Sequence, residues 1–202
     1  MKGWALLVGW LLATPAPAPL PPTVDAPAVG AFLVANHQVY GLFTETVIVL
    51  LDHDEGGSLG VIVNRPVGLT LEELLPDVEE ARGHERRAWL GGPVDADKVL
   101  LLIRSAKGPD ESSPVLDDVH VSGHRDTLRE LLTEPAGGVT FRAYVGYAGW
   151  APGQLASELA RGDWTLAPGD ADSVFTTEPG ALWRKLHERH RQIEVRHPPR
   201  RV

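Results

Sequence analysis

Thr46-Val47-Ile48-Val49-Leu50-Leu51 and Leu59-Gly60-Val61-Ile62-Val63 flank the acidic, glycine-bearing turn Asp54-Glu55-Gly56-Gly57-Ser58, and Asn64-Arg65-Pro66 closes the second run. β-Branched runs on either side of an Asp/Gly turn read as a hairpin, because Gly tolerates the turn backbone and Asp bonds to it. Neither run alternates with polar residues, so both are predicted to be strands covered on both faces. Pro66 cannot donate to a central ladder, and the strand is expected to stop there.

Similar short apolar runs predict strands at Ala31 to Ala35, Ala88 to Leu90, Val99 to Ile103, Val119 to Val121 and Thr140 to Val145. Thr70-Leu71-Glu72-Glu73 has capping-box form and opens a short helix that stops at Pro76. Further helices are predicted from about Arg125 to Leu132, from near Pro152 to Gly162, and from Pro179 to Arg191. The first turns Leu128, Leu131 and Leu132 to one face; the last turns Leu182, Trp183 and Leu186 toward the body. Residues 77–87 and 105–114 read as surface excursions. Hairpins and strand–helix units share one chain without an internal repeat. The fold class this predicts is α/β or α+β: one compact domain with a large mixed β-sheet flanked by helices.

The 202 residues, 43% hydrophobic and 23% charged, suffice for one buried core plus tails. We divide them into a signal-like apolar leader and Pro/Ala-rich linker (1–29), a folded domain (30–190) and a basic C-terminal tail (191–202). Residues 184–202 hold seven Arg or Lys against Glu188 and Glu194, a local +5 that leaves −13 over the rest of the −8 chain. An acidic body repels phosphate backbones, so nucleic acid is not an expected partner. With no cysteine, disulfides, thiolate catalysis and Cys-ligated metal are excluded.

Lys2, the apolar run Trp4 to Ala13 and the Pro-Ala alternation from Thr14 have the outline of a secretory signal, too short to span a bilayer. Pro19 after Ala16-Pro17-Ala18 obstructs cleavage, and a start near Val24 or Val29 is an alternative. If the leader over 1–18 is real, the protein is exported or tethered, and membrane contact is expected only through it.

Three strand ends carry Gly or Pro beside recognition residues: Asn64-Arg65-Pro66, Gly91-Gly92-Pro93, and Gly146-Tyr147-Ala148-Gly149-Trp150 running on to Gly153-Gln154-Leu155. Exposed backbone next to Arg, Asn, Gln, Tyr and Trp at strand mouths is how an open sheet builds a ligand crevice. The candidate binding residues are therefore Asn64, Arg65, Gly91, Gly92, Tyr147, Trp150 and Gln154, lining a recess for a small anionic ligand or a partner's peptide. Gly146, Gly149 and Gly153 depart from G-x-G-x-x-G, and no P-loop, G-x-S-x-G or H-E-x-x-H is present, so no cofactor or catalytic residue is assigned. His120/His124 and His187/His190 read as surface histidines, with no metal expected. The rival reading is a hydrolase or transferase using His53 with Asp52 or Asp54 near Arg65. Oligomeric state is left open.

Taken together, Gly30 to Ala35, His53 to Gly56, Gly60 to Pro66, Gly91-Gly92-Pro93, Gly146 to Trp150, Gln154-Leu155, Glu158 and Trp164 resemble the YqgE/AlgH family of uncharacterised bacterial proteins. The resemblance implies a compact α/β domain with a large mixed sheet, a cytoplasmic setting, and a binding or regulatory role with a possible tie to transcription or exopolysaccharide (alginate) production. It implies no enzyme activity. Asp52, Ala156 and Asn36-His37-Gln38 depart from the family pattern.

Overall fold

The computed structural model describes residues 24–133 and 137–196. The apolar leader, the linker up to Thr23 and the end of the basic tail from His197 lie outside the described residues. In chain order the strands are β1 (Phe32–Ala35), β2 (Val47–Asp54), β3 (Gly57–Ile62), β4 (Pro66–Thr70), β5 (Arg87–Leu90), β6 (Val94–Arg104), β7 (Ser113–Leu116), β8 (Val119–Ser122), β9 (Thr140–Trp150) and β10 (Trp164–Ala167). The α-helices are α1 (Leu71–Leu74), α2 (Arg125–Thr133), α3 (Gln154–Ala160), α4 (Ala171–Val174) and α5 (Pro179–Arg196), with single 3-10 turns at Gly41–Phe43 and Glu79–Ala81.

The strands form one mixed sheet in the order β10-β1-β2-β3-β9-β6-β8-β7, antiparallel throughout, with β5 parallel to β9 and antiparallel to β4. β9 is the hub. It pairs with β6 from Thr140 to Tyr147, with β5 at Tyr144 and Val145, and with β3 from Ala148 to Trp150.

The hairpin forms as its sequence predicts: Gly56 N–H donates to Asp54 Oδ1 at 2.7 Å, and Gly57 takes φ +138°. Both its faces are covered. Val47, Val49, Val61 and Val63, with Phe32 and Val34, pack under Val174, Leu182, Trp183 and Leu186 of α4 and α5. The alternate residues Leu33, Ile48, Leu50 and Ile62 pack on the opposite face with Trp150, Leu155 and Trp164. Alternation of side chains across a strand makes two cores from one apolar run, each large side chain contributing about 1.5–3 kcal/mol. A third cluster seats Leu128, Leu131 and Leu132 of α2 on Leu101, Ile103 and Phe141.

Several expected boundaries move. The turn predicted from Gly146 is instead strand: β9 continues to Trp150, because Gly146 (φ +64°) and Asp95 (φ +49°) let the β6–β9 ladder skip from Val99 to Val94 without ending. The loop at 105–114 ends in β7, an edge strand, where Pro114 costs no ladder bond. β4 and β10 were not predicted; β4 starts at Pro66 and β10 at Trp164. The capping box at Thr70 and Glu73 is present in both directions. The last helix continues past Arg191 to Arg196.

Polar contacts from Trp183 and Arg142 help fasten the helical layer. Trp183 donates its indole N–H to the Ala35 carbonyl at 2.7 Å, pinning α5 on β1, and stacks on His187, whose ring meets His37 edge to face at 4.6 Å. Arg142 of β9 lies 3.7 Å over the Trp89 ring and donates to the carbonyls of Val174 and Thr176 at 2.6 and 2.5 Å, anchoring the end of α4.

Candidate functional site

Of the residues singled out from the sequence, Asn64 and Arg65 adjoin the Gly91-Gly92 strand end, where Leu90 N–H donates to the Arg65 carbonyl and Ile62 N–H to the Gly91 carbonyl, each at 2.9 Å. Trp150 and Gln154 lie further along the chain, at the end of β9 and the start of α3. Asn64 is a buried clasp: its Oδ1 accepts from Val47 N–H and its amide donates to the Glu45 carbonyl, both at 2.9 Å. Arg65 donates to the Thr44 carbonyl. Together they hold the chain entering β2: the Asn64 oxygen and amide each bond to backbone, and Arg65 gives one of its guanidinium donors to it.

Gly91 and Gly92 mark a close approach of two backbones. A Cβ on Gly91 would lie 2.1 Å from the Gly146 oxygen, and one on Gly92 would lie 2.2 Å from the Tyr147 carbonyl carbon. Tyr147 sends its hydroxyl to Asp95 Oδ2 at 3.2 Å, and Lys98 reaches the same oxygen at 2.5 Å. The Lys98 and Tyr147 hydrogen bonds hold the Asp95 carboxyl below its ordinary range. The single recess expected from the seven residues is therefore not assembled, because the glycines are filled by protein backbone and Asn64 faces a loop.

The rival constellation also comes apart. His53 pairs across the hairpin with Ser58, whose Oγ lies 2.8 Å from its Nδ1, whereas Asn64 is bonded to Val47 at the other end of β2. Six residues of strand at about 3.3 Å each put roughly 20 Å between these ends, beyond any shared hydrogen bond. His120 lies on β8 opposite Ile103, and His124 stands 3.6 Å from Glu111. Among the described residues no group of three or more His, Asp or Glu is placed to hold a metal.

Trp150 and Gln154 do share a cleft, of about 250 Å³, with Gln38, Val39, Phe43, Glu158, Asp163 and Trp164 among its walls. It is built by the turn out of β9. Gln154 accepts the Ala151 N–H at 3.1 Å through Oε1 and donates to Glu158 Oε1 at 3.0 Å, one turn along α3. α3 begins at Gln154 rather than near Pro152 and has seven residues. Glu158 then does what no short motif announced: its Oε2 accepts the indole N–H of Trp150 and of Trp164, each at 2.8 Å. The two rings stand edge to face at 6.1 Å, and Phe43 meets Trp164 edge to face at 5.9 Å.

The rest of the wall is also satisfied from within. Gln38 donates its amide to the carbonyls of Arg161 and Gly162, and Asp163 Oδ2 accepts from Arg161 Nη2 at 2.6 Å. Tyr40, 82% exposed, and Leu42 lie on the chain between the wall residues Val39 and Phe43. Sequence reasoning included Glu158 and Trp164 only as parts of a family pattern, and omitted Phe43, Val39 and Asp163. The spacing Trp150, Glu158, Trp164 was the available signal.

With this geometry in hand, the chain can be set beside known proteins. The family model described as AlgH-like (DUF179) matches residues 32–193. A UPF0301 protein of Myxococcus xanthus is 38% identical over 144 residues, 70% of this chain and 78% of that one. A UPF0301 protein of Chlamydia pneumoniae is 34% identical over 155 residues, 76% of this chain and 82% of that one. The solution structure of the AlgH protein from Pseudomonas aeruginosa is similar with a TM-score of 0.66 at 26% identity, covering 95% of this chain and 100% of that one. A crystal structure from Corynebacterium diphtheriae shares the fold, with a TM-score of 0.69 at 24% identity over 82% of this chain and 88% of that one.

Proposed function

The chain belongs to the AlgH-like family, and we propose that it works as a non-catalytic recognition domain whose ligand, or a segment of whose partner, enters the cleft between Trp150, Trp164 and Phe43. The observation that supports this is the convergence of two indole N–H groups on one oxygen of Glu158 beside an open space. An indole fixed by its own hydrogen bond and an edge-to-face neighbour has little rotamer freedom left to lose, so binding against it costs little entropy. Regulation, including any tie to transcription or exopolysaccharide production, would act through occupancy of this cleft. The enzymatic reading has less support, since His53 and Arg65 occupy opposite ends of the β2–β3 ladder.

The test is a 15N NMR screen of the whole chain against a panel of small fragments. Binding fragments are expected to shift the indole N–H signals of Trp150 and Trp164 while those of Trp89 and Trp183 stay in place. A panel whose members all leave the two cleft indoles unmoved removes the proposal.

A further inference from the structure

We infer that the group received by this cleft is an organic cation, an ammonium or guanidinium carried on an apolar stem. The inference rests on the recognition reading above and specifies its ligand. The argument is an inventory of donors and acceptors on the wall. Both indole N–H groups are taken by Glu158 Oε2, the Gln154 amide by Glu158 Oε1, and the Gln38 amide by two carbonyls. Apart from the second amide hydrogen of Gln154, what the side chains still offer an incoming molecule is acceptor capacity. Asp163 Oδ1 and Gln38 Oε1 appear in no hydrogen bond, and Glu158 Oε1 receives one where a carboxylate oxygen accepts two.

Charge points the same way. Two carboxylates, Glu158 and Asp163, line the space, the second already paired with Arg161 through Oδ2, and no Lys or Arg is among the lining residues. An anion would meet one neutral donor there, the second amide hydrogen of Gln154, against the acceptors of Asp163, Glu158 and Gln38. A cation would find acceptors at the rim and the aromatic surfaces of Phe43, Trp150 and Trp164 for its stem, the arrangement that attracts ammonium and guanidinium groups. Of the small anionic ligand and the partner's peptide expected from the sequence, this reading favours a cationic group over the anion; Arg65 donates to the Thr44 carbonyl and is not among the residues of this wall.

The experiment titrates the labelled full chain with n-propylguanidinium, n-butylammonium, neutral n-butanol and anionic butyrate, reading the Trp150 and Trp164 indole signals. The cations are expected to bind about tenfold or more tighter than butanol, with butyrate weakest. Asp163→Asn is expected to weaken the cations several-fold and leave butanol unchanged; this carboxylate pairs only with neighbouring Arg161 in the sheet-edge turn, so the variant should fold. Butanol or butyrate binding as tightly as the cations overturns the inference while leaving the recognition site standing. If no probe moves the indoles, both readings fall. A blocked peptide with a central arginine makes a further arm: tighter binding than n-propylguanidinium assigns the cation to a partner's side chain, and equal binding to a small amine or guanidine.

Discussion

Trp150 and Trp164 share one acceptor oxygen, Glu158 Oε2, and this single atom sets the angle between the two rings. Glu158→Ala leaves two nearly buried indole donors without a partner, at about 1–3 kcal/mol for each. Glu158→Gln keeps an acceptor oxygen and should cost less. Urea denaturation of both variants checks the order; a glutamine variant as unstable as the alanine one would mean that charge, rather than the shared acceptor, holds the rings.

Gly91 and Gly92 are read here as packing positions, and alanine tests that directly. The Cβ of Gly92→Ala would sit 2.2 Å from backbone that cannot move without opening the β5–β9 pairing. A loss of about 3 kcal/mol or more, or failure to fold, is expected. Gly41→Ala has open space around it and bears only the strain of φ +71°, so about 1 kcal/mol is expected. Equal losses in thermal denaturation would contradict the close-approach reading.

Asn64→Ala should separate clasp from cleft. It strands the Val47 N–H and the Glu45 carbonyl, a cost of about 2–4 kcal/mol. The response of the Trp150 and Trp164 signals to a bound probe should persist in the fraction that stays folded. Loss of that response in folded protein would return Asn64 to the binding site.

His187 gives the fold a pH dependence. Burial first, then the neighbouring His37, Arg191 and His190, lowers its pKa below the ordinary 6.5, against a small opposing effect of Glu188. The folded protein therefore favours the neutral ring. Its contribution is complete above pH about 6.5 and declines as pH falls from there toward the lowered folded value. His187→Phe retains the stack on Trp183 and should flatten that part of a stability–pH curve; an unchanged acid limb would show that other groups set it.

Arg142 is a cation held by neutral groups, the Trp89 ring and the Val174 and Thr176 carbonyls; burial lowers its pKa. Arg142→Ala should free the Val174 and Thr176 carbonyls, and hydrogen exchange should quicken in α4 and at the start of α5 before it does in β2 and β3. Uniform quickening throughout would indicate global destabilisation instead.

How much of this was legible can be seen residue by residue. The hairpin and its double burial followed from Val47 to Leu50 and Val61 to Val63, because local turn chemistry and an unbroken apolar run specify them without outside help. The Thr70 capping box is local in the same way. Gly91 and Gly92 were correctly marked as unusual, but a glycine that admits a ligand and one that admits another strand look identical until the partner strand is known. β10 was missed because Trp164-Thr165-Leu166-Ala167 is not a continuous apolar run and gains its strand state from pairing with β1. Glu158 was underrated because the spacing Trp150, Glu158, Trp164 becomes a signal only once the turns on both sides of α3 are known to bring the two indoles back onto it.

The position of β9 has a consequence for synthesis. Three earlier strands, β3, β5 and β6, wait for residues 140–150 to bridge them, so a nascent chain paused on the ribosome before that point carries apolar edges with nothing alongside. Such long-range closure is slow and invites association between unfinished molecules. Cells making this protein quickly should need a holding chaperone until the bridging strand emerges.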